Sequence, residues 1–339
     1  LAIVIGDPKP GAQRLTLAGG INNFGTTIGP LLVSVAIFGS VLSGGTEASI
    51  ESVKTPYLVL GVAFILVAIF LKFSSVPNQV DLDGLAADEA SDASKLAHKP
   101  SAFGYPQLVL GMIAIFVYVG VEVSTISNMP AYLELPVSEG GLGIETSLIA
   151  PFVSLYWASL MIGRWAGAAG AFDVAKRTKW MLTILLPYLA FGVFLAVNAF
   201  ANHEISHFFM YGFVIVLMIA ATFASRGNPA RMLLYFAICG IAALVIGMLT
   251  TGMTSVVAFI SVGLFCSTMW PCIFALAITG LGNKTNQGSS LLIMMIMGGC
   301  IISWLKGWLA DMTSIHFSFI VGVACFAYLA FYALRAPAI

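Results

Sequence analysis

Followed as an alternation of oily and polar stretches, the chain falls into ten apolar runs. They are Leu15–Leu42, Tyr57–Phe73, Phe103–Tyr132, Leu148–Gly170, Trp180–Phe200, His207–Ala224, Ala230–Thr250, Thr254–Leu281, Gln287–Leu309 and Ile315–Leu334. Each has the length of a membrane-crossing helix, which needs about 20 predominantly apolar residues. The connections are short, with one exception. Ser74–Ser101 contains VDLDGLAADEASDASKLAHK, which is acidic and rich in Ala and Ser, and it is expected to be a solvated linker separating two spans from eight. The pattern predicts an all-α, multi-pass membrane protein.

Proline and glycine punctuate these runs. Trp270-Pro271 predicts a kink inside Thr254–Leu281, because proline cannot donate the i→i−4 bond. Gly25-x-x-x-Gly29, followed by Pro30, and Gly163-x-x-x-Gly167 predict places where helix backbones approach closely. Breaks of this kind also suit helices that bend or rock.

Composition agrees with the pattern. Residues are 59% hydrophobic and only 9% charged, against about 25% charged in a soluble domain. Formal net charge is zero, and no basic patch suggests nucleic acid. The five cysteines fall inside apolar runs with no CxxC or Cys/His cluster, so neither a metal site nor a disulfide framework is expected. The chain opens at Leu1 with LAIVIG, which resembles the end of an apolar segment, so further chain is expected upstream.

Charge then orients the spans. If the segment before Leu15 is cytoplasmic, alternation puts every Lys and Arg inside except Lys54 and Lys306. Both ends of this chain are accordingly expected on the cytoplasmic side of a bacterial inner membrane.

Polar groups inside the runs are the candidates for chemistry. Glu122 follows an uncharged stretch from Gly104 to Val121 and precedes Ser124, Thr125, Ser127 and Asn128. An ionisable group at such a depth costs about 2.5–3.5 kcal/mol on insertion scales, so it is expected to face a bundle interior or a wet cavity. Asn22 and Thr26 lie one turn apart on one face of the first run. Amides and hydroxyls both donate and accept, as recognition of a polyol requires. Tyr156 and Trp157 sit well inside their run, and with Trp270 they offer stacking surfaces for the C–H face of a sugar ring. Asn22, Glu122, Asn128, Tyr156, Trp157 and Trp270 are therefore the expected solute contacts. Arg164 is expected to snorkel or to form a gating ion pair with Asp173, and Lys306 is expected to snorkel near the end of its span. No GxSxG, HExxH, P-loop or HxE…CxxC pattern occurs, so an intramembrane enzyme has little support.

Several blocks carry a family resemblance. GDPKPGAQRLTLAGGINNFGTTIGP resembles the G-P…R-L-N-L-A-Q-x-F-N-S-x-G-T-x-I-A-P segment of the fucose:proton symporter family of the major facilitator superfamily, particularly its glucose/galactose transporters. In the same order follow Tyr118-Val-Gly-Val-Glu122, Tyr156-Trp-Ala-Ser-Leu-Met-Ile-Gly-Arg164, Gly263-Leu-Phe-Cys-Ser-Thr-Met-Trp-Pro-Cys-Ile-Phe274, Gly280-Leu-Gly, Gln287-Gly-Ser and Leu309-Ala-Asp311. The chain departs from the pattern at Thr16, Gly19, Cys266, Trp270 and Lys306.

The resemblance implies two helical lobes with alternating access, carrying a monosaccharide with H+ or Na+ and needing no cofactor. It makes residues 1–73 the rest of an N-terminal bundle (the end of helix four, then helices five and six), 74–101 a cytoplasmic linker, and 102–339 a C-terminal bundle. Two extra helices would be inserted around 172–228. The expected molecule is a partial facilitator bundle of about ten spans, monomeric in a lipid bilayer, with glucose or galactose favoured. A transporter-derived sugar sensor, or a carrier of another small polar solute, is the alternative. Taken by itself, the chain is expected not to transport.

Overall fold

The computed structural model describes residues 11–38, 50–74, 101–139, 141–169, 174–201 and 203–336, and the helices below lie within these. Nine of them, some broken, are long and apolar enough to cross a membrane. Another, α1 (Gly11–Phe38), has 28 residues and carries Asn22, Asn23, Thr26 and Thr27 in its middle. Every predicted run coincides with a helix or a broken helix, with ends displaced by a few residues. The inter-lobe linker and Asp173 lie outside the described residues.

After α1 comes α2 (Ile50–Phe73), which packs on α1 and whose span is 0% buried. Tyr105 and Pro106 then open α3 (Pro106–Ser127), since proline at the first position costs no hydrogen bond. This helix stops at Asn128 because Pro130 cannot continue it, and the short α4 (Met129–Glu134) completes the span. The same device divides the predicted Thr254–Leu281 run into α9 (Gly252–Cys266) and α10 (Met269–Ile278) around Pro271. Between them lie α5 (Ala150–Ala168), α6 (Lys176–Phe200), α7 (Tyr211–Ser225) and α8 (Pro229–Leu249). The last spans are α11 (Thr285–Met294) with α12 (Gly298–Met312), and α13 (Ile315–Ser318) with α14 (Ile320–Arg335).

Helix α9–α10 is the axis of the bundle. It is buried over 89% of its span and touches α3, α5 and α8. Around it, α3 packs against α12 and α14, and α14 against α8. The pair α6–α7 lies outside this core, with α6 against α5 and α7 against α8. Its outward side chains are those of a lipid-facing surface, with Met181, Leu185, Phe213 and Val216 all exposed.

Candidate functional site

The seam between α1 and α5 is set by small residues. Gly20 lies against the Trp165 indole, where an added Cβ would come within 2.8 Å of Cδ1, and Trp165 Nε1 donates to the Gly20 carbonyl at 3.3 Å. Across α5, Gly163 is pressed against Ser267 with no room for a side chain. Gly25 and Gly29 have nothing within 4 Å of an added Cβ. The close approach predicted from glycine spacing therefore holds at Gly163 and Gly167 but on α1 it belongs to Gly19 and Gly20.

Arg164 fastens this seam. Its Nε donates to the Ser267 carbonyl at 3.2 Å, and Nη1 donates to the Gly19 carbonyl at 3.3 Å and to Asn23 Oδ1 at 2.9 Å. The Ser267 carbonyl is available for a specific reason. Its ordinary partner would be the N–H of residue 271, four positions on, and residue 271 is proline. One guanidinium thus joins α1, α5 and the α9–α10 break. The snorkelling expected of Arg164 is corrected, because its donors are spent inside the bundle rather than at the interface.

Glu122 stands about three quarters of the way along α3. Tyr118, one turn earlier, donates a hydrogen bond to its carboxyl, and Tyr156 donates to its backbone carbonyl at 2.6 Å. The Tyr118 ring faces Trp270 at 6.2 Å between centroids. Trp270 in turn borders a cavity of about 200 Å³ with Arg164, Gly19, Thr16, Ser267 and Pro271. That is smaller than the roughly 300–1,000 Å³ of an open ligand cleft.

The arrangement gathers most of the expected residues and turns some of them. Glu122, Tyr156, Arg164, Trp270 and Pro271 form one connected group, and Trp157 sits edge-on to Tyr156 at 5.7 Å. Asn22 lies exposed on α1, whereas Asn23 is 3% exposed and takes the inward position. Adjacent helical residues are about 100° apart, so the choice of the Asn22–Thr26 face is corrected to the face of Asn23 and Thr27, where Thr27 donates to the Asn23 carbonyl at 2.7 Å. Asn23 Nδ2 is buried with no partner among the described residues. Asn128 is half-buried at the α3–α4 break and makes no side-chain cap bond. Tyr118, Gly19 and Ser267 were not anticipated. The spacing of Tyr118 and Glu122, four apart on one helix, and the position four before Pro271 are the signals that could have found two of them.

A second correction concerns Lys306, which is 1% exposed rather than snorkelling. Its Nζ donates to the Ser124 carbonyl at 3.0 Å and lies 3.3 Å from the Phe319 ring centroid. Here too a helix break supplies the acceptor. The Asn128 N–H, which would have closed a helical bond to Ser124, bonds to the Ile126 carbonyl instead.

No family model matches the chain. Comparison with individual proteins is more informative. The glucose/galactose transporter of Brucella abortus is 33% identical over 331 residues, which are 98% of this chain and 65% of that protein. The putative glucose/galactose transporter of Helicobacter pylori is 27% identical, over 96% of this chain and 66% of its own length. The L-fucose-proton symporter of Escherichia coli is 23% identical, over 96% and 64%. Among solved structures, FucP, a major facilitator superfamily transporter in the outward conformation, superposes with a TM-score of 0.61 over 99% of this chain and 70% of its own, at 23% identity. The chain has the major facilitator superfamily fold and is homologous to these sugar transporters. It spans just under two thirds of the length of the curated relatives it matches.

Proposed function

We propose that the protein works as a secondary active carrier, importing a monosaccharide of the glucose or galactose kind across the inner membrane by alternating access, with H+ as the coupling ion. Both ends of the chain would then face the cytoplasm, in keeping with the segregation of Lys and Arg to one side. The observation that carries this reading is the seam itself. A carboxyl within an apolar span is tied to Tyr118, whose ring faces Trp270, and Trp270 borders the small cavity that Arg164 and α1 share at the seam. Glu122 would accept sugar hydroxyls when ionised and donate to one when protonated. Trp270 and Trp157 would supply apolar faces for the ring, and Asn23, with a spare amide donor, replaces Asn22 as the polar contact from α1. The names of the relatives support a sugar, and that of the Escherichia coli symporter supports the proton. Pro271, by freeing the Ser267 carbonyl for Arg164, belongs to the gate.

The test is uptake of labelled glucose, galactose and fucose into liposomes holding the full-length protein, under an imposed pH gradient or a sodium gradient. Glucose or galactose should accumulate with the pH gradient, and Glu122→Gln should abolish accumulation while leaving the protein folded. Wild-type accumulation in that variant would remove Glu122 from the mechanism. Binding without movement would favour a sensor descended from a transporter.

A further inference from the structure

A larger cleft, about 660 Å³, opens between the α6–α7 pair and the ends of α5, α8 and α10, and its inner end reaches Thr16 and Pro271 at the seam. Nothing in the transport reading uses its outer end, at α6 and α7. Two basic residues line it, Lys176 at the start of α6 and Arg226 in the turn between α7 and α8. Both are exposed, and among the described residues neither has a carboxylate partner. Among the described residues no acidic side chain lines the cleft. The turn is built to hold Arg226 there. Arg226 adopts the left-handed conformation at φ 51°, its N–H bonds to the Phe223 carbonyl, and Gly227 follows at φ 74°.

The rest of the lining mixes hydroxyls, from Thr183, Thr222 and Ser225 near the cations and Thr16 and Thr268 deeper in, with apolar groups. Trp180 and Phe223, 5.2 Å apart between ring centroids, bridge α6 and α7 inside the cleft, and Trp180 is 57% exposed one turn into its span. Tryptophan at such a level marks the boundary between headgroups and acyl chains. The outward faces of α6 and α7 beyond it are aliphatic and aromatic. Cations at one end and an acyl-compatible surface at the other match an amphiphile rather than a free solute, and basic pockets between membrane helices take anionic headgroups. Arginine adds a planar fork suited to a phosphate.

We propose that this cleft binds an anionic phospholipid. The headgroup phosphate sits between Lys176 and Arg226, and an acyl chain lies along Trp180 and Phe223. The helices α6 and α7, which the family resemblance implies are an insertion, thereby acquire a role as a lipid clamp against the core. This assignment does not depend on the transported solute.

The test is thermal unfolding of the full chain in uncharged detergent, titrated with phosphatidylglycerol, phosphatidylcholine or inorganic phosphate. Phosphatidylglycerol should raise the midpoint saturably, and the other two should not. Lys176→Gln with Arg226→Asn, which keeps a residue tolerant of the left-handed turn, should weaken phosphatidylglycerol binding about tenfold or more. Arg177→Gln with Arg231→Gln, on the same end but outside the cleft, should change it less than about twofold. An equal response to phosphatidylcholine would overturn recognition of charge. An equal response to inorganic phosphate would make this a soluble-anion site and end the lipid assignment. Unchanged affinity in the Lys176/Arg226 variant would move the site elsewhere.

Discussion

Two basic side chains, the half-buried Arg164 and the buried Lys306, each answer a break in a helix. Pro271 leaves the Ser267 carbonyl without its helical donor and Arg164 supplies one, while the stop at Asn128 leaves the Ser124 carbonyl to Lys306. In a membrane, a carbonyl with no donor costs several kcal/mol, so the breaks are tolerated only because other groups satisfy them. This gives Arg164 a measurable dependence on Pro271. Arg164→Ala should cost about 1–3 kcal/mol of stability by orphaning a buried acceptor, and should slow uptake. Pro271→Ala restores an N–H four residues beyond Ser267, so in the double variant the helix itself can take up the freed carbonyl. Thermal or denaturant unfolding should then show the double variant losing less than the sum of the single losses, by at least about 0.5 kcal/mol. Strict additivity would show that the two residues are not linked through Ser267. Lysine at position 164 carries the charge but not the fork, so Arg164→Lys should fall between wild type and Arg164→Ala.

Helix contacts here depend on where side chains are missing. Gly163 abuts Ser267 and Gly20 abuts the Trp165 ring, whereas Gly25 and Gly29 face open space. Gly163→Ala should therefore destabilise the chain by about 1–3 kcal/mol through overpacking. Gly25→Ala should be neutral or stabilising, by up to about 1 kcal/mol, because alanine is the better helix former. Comparing unfolding midpoints of the two variants decides this, and equal losses would mean that the close contact of Gly163 with Ser267 does not set the difference. The contrast also explains what could be read from the residues alone. Spans were legible because the hydrocarbon core demands long apolar runs, and the break at Pro271 because proline lacks an N–H. Helix facing was not. An almost wholly apolar helix has no polar side to mark its outside, so Asn22 and Asn23 could not be told apart, nor Gly25 and Gly29 from Gly19 and Gly20. Lys306 misled for a related reason. Its position near the end of a span suggests snorkelling, and only the three-dimensional path of α3 reveals the carbonyl waiting for it.

The transport reading requires the α1–α5 seam to open and close as lobes rock, since the cavity behind Arg164 is too small in this arrangement to pass a sugar. A covalent bridge across that seam is the direct test. Thr16 on α1 faces Gly167 on α5, and a Cβ built at Gly167 would lie 3.1 Å from Thr16 Cγ2, within the reach of a disulfide. The five native cysteines do not form a disulfide in this structure, but they should be replaced first so that one bridge can form. In Thr16→Cys with Gly167→Cys, oxidation should stop net uptake and reducing agent should restore it, with binding of sugar retained in the locked state. The logic turns on free energy. A locked seam leaves the contacts of one state intact and removes only the other, so a loss of movement with binding preserved separates a carrier from a damaged protein. If the bridge forms quantitatively, by mass spectrometry, and uptake continues at the reduced rate, this seam does not move during the cycle and the solute takes another path.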